Sequence, residues 1–279
     1  MVLGSRLAWD PQQDMATPKE VTFQLAQEGS LQWIEVPGGD AKLESRGPVK
    51  MDGGITYTGE WLGTHRHGRG RLVLATGASY EGEFRNDHIY GSGRYQHENG
   101  DVYQGQWVND KAHGSGQFLH PDGSHYKGEW REDQKFGKGY ESWIDGSEFS
   151  GHYHRGQKHG YGKFLASDGS TFSGNFYEDS MDGEGTYEFA DGRVFTGEWR
   201  GSQMSGNGVM RWPDGRIYKG QFLEDQKSGE GRFTWPDGRS YSGQWKNGKQ
   251  HGTGSYQDGR GRSRSGEWND GHRMRWLDS

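Results

Sequence analysis

The sequence predicts an all-β protein, an elongated and solenoid-like single-layer antiparallel meander of β-hairpin repeats. Three observations predict it. A motif beginning at Tyr57 recurs every 23 residues, apolar and polar side chains alternate within each unit, and every unit carries turn signals. A fixed period of this size is typical of a repeat protein, in which each unit packs only on its neighbours.

Two aromatic columns and a glycine column define the repeat. The glycine between the aromatics is present in all ten units, from Gly59 to Gly266. The first position of each unit is aromatic in every unit except the last, where it is Arg264. The opening column is Tyr57, Tyr80, Tyr103, Tyr126, Phe149, Phe172, Phe195, Tyr218 and Tyr241. The second column is Trp61, Phe84, Trp107, Trp130, Tyr153, Phe176, Trp199, Phe222, Trp245 and Trp268.

Alternation within a unit predicts two strands with one apolar face. Tyr57, Gly59 and Trp61 fall on one face of an extended segment, whereas Thr58 and Glu60 fall on the other. Glycine at the centre of the aromatic face is expected to leave room for rings from neighbouring strands. A phosphate loop is the alternative interpretation of these glycines, but it needs a following helix and usually a Lys-Ser/Thr pair, which the pattern lacks.

The turn signals predict how the strands connect. A Pro-Asp-Gly sequence such as residues 213–215 favours a three-residue loop with a left-handed glycine. Such a loop would place Trp212 opposite Arg216 and Met210 opposite Tyr218. The other connection, such as residues 62–69, is expected to be a longer loop with a variable surface.

Composition agrees with an array rather than an ordinary globular core, because only 29% of residues are hydrophobic and 50 are glycine. The absence of cysteine excludes disulfides, thiolate metal sites and cysteine nucleophiles. No signal-peptide core or apolar run of about 18 residues occurs, so a cytosolic protein is expected. The predicted segments are an N-terminal segment at 1–46, partly disordered and with a candidate capping hairpin from strands at 21–25 and 31–36, a degenerate half-repeat at 47–56, the array at 57–268, and a C-terminal tail at 269–279.

The motif resembles the MORN repeat, in which an aromatic, a glycine and a second aromatic are followed by a Gly-x-Gly pair and an Asp-Gly turn. The resemblance covers residues 57–268 and weakens at Arg264. It implies a grooved antiparallel sheet that binds other proteins. Similar arrays occur in junctophilins, plant phosphatidylinositol phosphate kinases, ciliary radial-spoke head proteins and protist cytoskeletal scaffolds.

No catalytic or metal-binding constellation stands out. Histidines of one repeat column are separated by the width of two strands or more, too far for a shared metal, and His152 with His154 supplies only two ligands. The carboxylates of Glu60 and its equivalents form a repeated, outward-facing column rather than a unique pair. We therefore predict neither an enzyme nor a cofactor or metal site.

The predicted function is a scaffold or adaptor, with cytoskeletal or ciliary roles considered, whose aromatic groove binds protein partners. A helical segment and a second copy of the chain are the partner forms considered. The residues predicted to line the groove are Tyr57, Trp61, Tyr80, Phe84, Tyr103, Trp107, Tyr126, Trp130, Trp199, Tyr218 and Trp245.

Charge asymmetry suggests a second contact. From Arg239 to Arg264 the sequence contains six Lys or Arg residues and one acidic residue. Residues 171–192, in contrast, contain six acidic residues and no Lys or Arg. The candidate contacts for an acidic partner or an anionic membrane are Lys246, Lys249, Arg260, Arg262 and Arg264. The alternatives to a protein scaffold are therefore a peripheral phospholipid-binding module and the regulatory part of a larger enzyme such as a lipid kinase. Nucleic acid is not expected for an acidic chain.

Overall fold

The computed structural model describes residues 42–277 of the chain, and within that range the secondary structure is all β. It contains one short 3-10 helix, Asp52–Gly54, and no α-helix. The strands are β1 (Leu43–Lys50), β2 (Thr56–Leu62), β3 (His65–Val73), β4 (Ser79–Arg85), β5 (His88–Gln96), β6 (Val102–Val108), β7 (Lys111–Leu119), β8 (His125–Arg131), β9 (Gln134–Ser142), β10 (Glu148–His154), β11 (Gln157–Leu165), β12 (Thr171–Tyr177), β13 (Ser180–Glu188), β14 (Val194–Arg200), β15 (Gln203–Arg211), β16 (Ile217–Leu223), β17 (Gln226–Thr234), β18 (Ser240–Lys246), β19 (Lys249–Gln257), β20 (Ser263–Asn269) and β21 (His272–Trp276).

All of these strands belong to one antiparallel sheet in chain order, which confirms the predicted meander. Each strand pairs with the strand before it and the strand after it. The sheet is open, because β1 and β21 each pair on one side within the described range. The sheet extends roughly 96 Å from β1 to β21 across its strands, at about 4.8 Å per strand.

One of the two hairpin connections is the predicted three-residue loop. Trp212 donates its backbone N–H to the carbonyl of Arg216 at 3.0 Å, and Met210 lies opposite Tyr218. Gly215 adopts a φ of 88°, in the left-handed region that glycine enters without strain. The Pro-Asp-Gly pattern therefore predicted both the loop and the strand register.

The other connection was predicted wrongly. Instead of a variable loop over residues 62–69, Leu62 pairs with His65 across a two-residue turn, and residues 65–69 already belong to β3. The equivalent turn of the next unit places Asn86 at φ 48° and Asp87 at φ 70°, the pair of positive values that a type I′ turn requires. Asn and Asp tolerate the left-handed region, so this turn forms without the glycine that usually marks a type I′ turn in a sequence.

A β-bulge follows this turn and accommodates the extra residues of the longer strand. The register between β2 and β3 shifts between Gly59 and Trp61. The side chain of Glu60 accepts the backbone N–H of Arg69 at 2.6 Å, and Glu129 accepts that of Lys138 at 2.8 Å. The predicted outward column of carboxylates therefore also satisfies backbone donors at the bulges.

The central glycines lie beneath the opening aromatic ring of their own strand, whereas the rings were expected to come from neighbouring strands. A Cβ built on Gly128 would lie 2.6 Å from the Cα of Gly139 and 2.4 Å from the hydroxyl oxygen of Tyr126. A Cβ on Gly139 would meet the same ring at 2.5 Å. Glycine is needed here because the ring lies directly on the backbone of two adjacent strands.

The sheet continues beyond both ends of the clear motif. Strand β1 spans the predicted boundary between the N-terminal segment and the half-repeat. Strand β21 falls within the stretch assigned to the C-terminal tail. The candidate capping strands at 21–25 and 31–36 lie outside the described residues. No helix in the described range is long and apolar enough to cross a membrane.

The glycine pairs generate the first prediction. We expect Gly128→Ala to lower the free energy of unfolding by roughly 3 kcal/mol, at the upper end of the cost of overpacking, because the new Cβ meets backbone as well as the ring. Thermal and denaturant unfolding followed by circular dichroism measure the change.

Gly47→Ala is the matched control, since a Cβ at Gly47 meets nothing within 4 Å. Its free energy of unfolding should stay within about 0.5 kcal/mol of the wild type. Equal stability of the two variants would contradict the close approach of Tyr126 to the glycine pair.

Candidate partner-binding face

The two aromatic columns form one continuous layer on a single face of the sheet. The ring of Tyr57 lies edge-on between Trp61 of its own unit and Phe84 of the next, with centroid distances of 5.2 and 5.1 Å and interplanar angles of 85° and 84°. The same arrangement recurs along the array to Tyr241 and Trp268. Edge-to-face contacts of this kind add to the free energy of burying the rings.

The structure brings all eleven predicted groove residues together in this layer, but it places them in the core. Their side chains are between 0% and 8% exposed. At this burial the eleven rings do not form an exposed stripe. A role of these rings in binding stays a prediction, and a partner on this face meets the side chains that lie over and beside them.

The opening tyrosines satisfy their buried hydroxyls locally. Tyr57 donates its hydroxyl to the backbone carbonyl of Glu60 at 2.9 Å, beside the bulge, and Tyr126 donates to that of Glu129 at 3.0 Å. Burial raises the pKa of Tyr57 and of Tyr241 to about 12. Each of these phenols therefore stays protonated in the folded chain well above the ordinary tyrosine pKa of about 10.

A third column covers the aromatic layer, and we call it the covering column. Its residues lie directly after each two-residue turn and pair with the second aromatic, as Arg66 does with Trp61. The guanidinium carbon of Arg66 lies 5.9 Å from the ring centroid of Tyr57 and 5.5 Å from that of Phe84. In the nine units that begin at Tyr57 to Tyr241, the covering column is Arg66, Ile89, Ala112, Lys135, Lys158, Met181, Met204, Lys227 and Gln250.

Three cations of the covering column pair with a carboxylate. Arg66 contacts Asp87 at 3.3 Å, and Lys158 lies 3.9 Å from Asp179. These aspartates belong to the two-residue turn of the following unit. Lys135 instead pairs with Glu141, which lies on the second strand of its own unit.

The turn aspartates also connect adjacent units through the backbone. Asp110 accepts the N–H of Ile89 with its carboxylate at 2.7 Å and donates its own N–H to the carbonyl of Ile89 at 3.0 Å. Asp133 and Ala112 repeat the reciprocal pair at 2.8 and 3.1 Å. Because one hairpin tip is held by the next, the covering column is fixed at regular intervals.

A line of half-buried rings borders the aromatic layer on the side away from the two-residue turns, and we call it the aromatic rim. Its rings pack against the core, and Tyr187 contacts Trp199 at 5.8 Å and Tyr95 contacts Trp107 at 6.2 Å. The aromatic rim is Tyr95, Phe118, Trp143, Phe164, Tyr187, Phe189, Trp212, Trp235 and Tyr256.

The sequence interpretation did not single out the aromatic rim. Its signal is an aromatic two residues after the Gly-x-Gly pair, such as Phe118, or next to the Asp-Gly turn, such as Trp235. Being less regular than the opening and second columns, these positions drew less attention. They are nevertheless half-buried, whereas the rings of the opening and second columns are buried.

The structure does not unite the five basic residues into one cluster. Lys246 and Lys249 flank a two-residue turn, whereas Arg260, Arg262 and Arg264 lie near the three-residue loop at the other end of β19. The nine residues of β19 separate the two groups by roughly 26 Å. Arg262 pairs with Asp258 at 2.7 Å, and Arg264 lies 4.4 Å over the ring of Trp276. Their contact with an acidic partner or a membrane stays a prediction.

Within residues 42–277, no three His, Asp or Glu side chains are grouped so that they could hold a metal ion. His152 lies 3.2 Å from the carbonyl of Tyr161 through its Nδ1, and the rings of His154 and His159 are tilted by 50° with their centroids 5.7 Å apart.

Comparison with known families identifies the repeat. Nine consecutive segments match the MORN repeat, at residues 57–79, 80–102, 103–125, 126–148, 149–171, 172–192, 195–215, 218–238 and 241–261. The chain belongs to the MORN repeat family. The unit that begins at Arg264 lies outside the matched MORN segments but still contributes β20 and β21 to the sheet.

Solved structures resemble this MORN array only weakly. The TCP10 domain of Danio rerio CPAP, solved with a peptide of Danio rerio STIL, is 13% identical over 83% of this chain and 98% of its own, with a TM-score of 0.36. The TCP domain of Drosophila melanogaster SAS-4, solved with a proline-rich motif of Ana2, is 13% identical over 56% of this chain and 85% of its own, also at 0.36.

A Staphylococcus aureus virginiamycin B lyase is 8% identical over 81% of this chain and 84% of its own, with a TM-score of 0.17. At these scores the similarities carry no argument about function. No curated protein sequence matches the chain.

The buried phenols generate the second prediction. Above pH 10 the folded state holds protons that the unfolded state has lost, because burial raises the pKa of Tyr57 and Tyr241 to about 12. The contribution of these phenols to stability is therefore complete below pH 10 and declines as the pH rises through 12. We expect the phenols of Tyr57 and Tyr241 to contribute to tyrosinate absorbance at 295 nm only over the pH range in which circular dichroism shows unfolding.

The double variant Tyr57→Phe/Tyr241→Phe is the control, since phenylalanine already occupies the opening position at Phe149. It should unfold at a higher pH than the wild type. Complete ionisation of the tyrosines near pH 10 without loss of the β-sheet signal would contradict the burial of these hydroxyls.

Proposed function

We propose that the chain is a non-catalytic scaffold that binds protein partners through the aromatic rim and the adjoining covering column. The observation that carries this proposal is the line of half-buried rings from Tyr95 to Tyr256 along one face of a single-layer sheet. MORN repeats are often binding modules and are generally non-catalytic, which supports the same conclusion.

The geometry favours an elongated partner. Strands β5 and β19, which carry the two ends of the aromatic rim, are separated by roughly 67 Å measured along the sheet at about 4.8 Å per strand. Adjacent units present rings at intervals of roughly 10 Å. A helical segment or a second copy of this chain, with apolar side chains repeated along its length, would meet several rings at once.

The partner contact combines apolar and charged groups. Trp143 is half-buried, and the ammonium group of Lys158 lies 5.0 Å from its ring centroid. Aromatic and cationic residues at the centre of an interface commonly supply most of its binding energy. The protein partner is therefore expected to pair apolar side chains with acidic ones.

Peripheral membrane binding is the second candidate function. A basic cluster near an anionic leaflet contributes about 1 kcal/mol per Lys or Arg. The two groups at Lys249 and Arg260 lie at opposite ends of β19, and Arg262 is already paired with Asp258. This division favours a protein partner over a membrane surface.

The cytoplasm is the proposed location, with a cytoskeletal or ciliary assembly as the proposed setting.

The third prediction tests the aromatic rim. Partners are captured from lysate with the wild type, and the strongest one is purified and titrated calorimetrically. We expect Trp143→Ser/Trp212→Ser to weaken its binding at least tenfold per ring, which corresponds to about 1.4 kcal/mol each, because both rings are partly exposed.

Ile144→Ser is the matched control, since Ile144 is an apolar neighbour of Trp143 that is 73% exposed on the loop. Its affinity should equal that of the wild type. If the double variant keeps full affinity while remaining folded, the contact lies elsewhere. If the wild type instead sediments with phosphatidylserine vesicles through the basic groups, the membrane function replaces the scaffold.

A further inference from the structure

Lys227 differs from the other cations of the covering column in its surroundings. Its ammonium nitrogen lies 4.6 Å from the ring centroid of Trp245, 5.0 Å from Phe233, 5.7 Å from Tyr218 and 5.9 Å from Trp212. Four rings therefore surround one half-buried positive charge. Their faces attract a cation, but they do not neutralise it.

Lys227 also lacks the carboxylate that its equivalents have. Arg66 and Lys158 take theirs from the residue 21 positions later, and Lys135 takes its partner from the residue 6 positions later. For Lys227 these two positions hold Gly248 and Phe233. Within residues 42–277, Lys227 has no ion pair.

An open cleft lies beside this lysine. Its volume is about 220 Å³, and its walls include Phe233, Trp235 and Trp245, with Lys249 at its edge. Gly248 also lines the cleft, and a Cβ on Gly248 would meet nothing within 4 Å. The space that a turn aspartate occupies in other units is therefore vacant here.

Burial lowers the pKa of Lys227, and the nearby charge of Arg216 lowers it further. A half-buried charge without a counter-charge is unfavourable, so an incoming anion gains more here than at an exposed lysine. This effect supports a site whose geometry is already defined by the four rings, the cleft and the missing carboxylate.

We infer that the cleft at Lys227 binds a carboxylate of the partner protein, from an acidic side chain or a chain terminus, together with an adjacent apolar group. The carboxylate takes the place that Asp179 holds beside Lys158, and the apolar group packs on Trp235 and Phe233. This inference rests on the proposed function for the identity of the occupant, whereas the site rests on the contacts of Lys227.

A carboxylate is favoured because the same column already pairs with carboxylates in three units. Trp235 and Tyr256 of the aromatic rim border this part of the array, with centroids 6.5 Å apart. A segment lying along the rim would therefore pass the cleft. Lys249 at the cleft edge adds a second positive charge for the same acidic segment.

The fourth prediction uses Gly248, the turn position at which an introduced aspartate would supply a carboxylate from within the chain. Gly248 has φ 77°, close to the 65° of Asp225 and the 68° of Asp179, so Gly248→Asp fits the turn and places a carboxylate beside Lys227. The probe is 3-phenylpropionate, with 3-phenylpropionamide as its uncharged analogue. Binding to the full chain is measured by titration calorimetry and tryptophan fluorescence.

We expect the wild type to bind 3-phenylpropionate at least tenfold more tightly than the amide. Gly248→Asp should abolish this preference and raise the thermal unfolding midpoint, and Lys227→Met should also abolish it. Gly248→Asn is the matched control, because asparagine adopts the same turn conformation without the charge. Because its amide occupies the same space without a charge, it should weaken binding of the probe but keep part of the preference for the carboxylate over the uncharged amide.

Equal binding of the probe by all four proteins, or no binding by the wild type, would overturn the inference. Preference for phosphatidylserine vesicles over the probe, lost in Lys227→Met, would also overturn it in favour of a lipid headgroup.

The partner captured through the aromatic rim should bind Gly248→Asp at least tenfold more weakly than Gly248→Asn. Equal affinity for these two variants would refute the partner carboxylate while leaving the rim result, and hence the proposed scaffold, intact.

Discussion

The contact of each opening ring with a pair of glycines is the constraint on which the rest of the structure depends. The ring of Tyr126 lies on the backbone at Gly128 and Gly139, so it can stay low against the sheet and reach the carbonyl of Glu129. Only from that position can its faces receive Trp130 of its own unit and Tyr153 of the next edge-on, at 5.1 Å each. A larger residue beneath the ring would separate both neighbours.

A single-layer sheet lacks a second layer to bury its apolar face, and long cationic side chains supply that cover here. Arg66 and Lys135 extend their apolar stems over the rings and keep their charged ends near carboxylates. Lysine and arginine commonly bury their stems in this way. The core and the outer surface of this face are thus made by neighbouring columns of the same repeat.

Much of the fold follows from the sequence because its regular features are backbone requirements. The position of Gly59 on the aromatic face and the pairing of Met210 with Tyr218 were predicted from alternation and from a Pro-Asp-Gly turn. The two-residue turns were missed because their signal varies between units: Asn247-Gly248 carries the usual glycine, whereas Asn86 and Asp87 adopt left-handed conformations without one.

The candidate site was harder to predict. Charged residues at Arg66 and Lys158 look like solvent-facing positions in a sequence, whereas in the sheet they fall on the aromatic face after a bulge shifts the register. Because the sequence does not show the register shift, it predicts neither the cover over the rings nor the unusual position of Lys227. The partly exposed rim was overlooked for a related reason, since its rings follow the period less strictly.

The meander topology determines how the array responds to mechanical load. Since β1 and β21 are opposite edges of the sheet, tension between them acts along the hydrogen bonds and peels strands away one after another, rather than shearing many bonds together. Each released unit of 23 residues would lengthen the chain by up to about 80 Å at the usual reach of an extended backbone. Such an array would yield stepwise at low force and could act as an extensible spacer between the molecules attached to it.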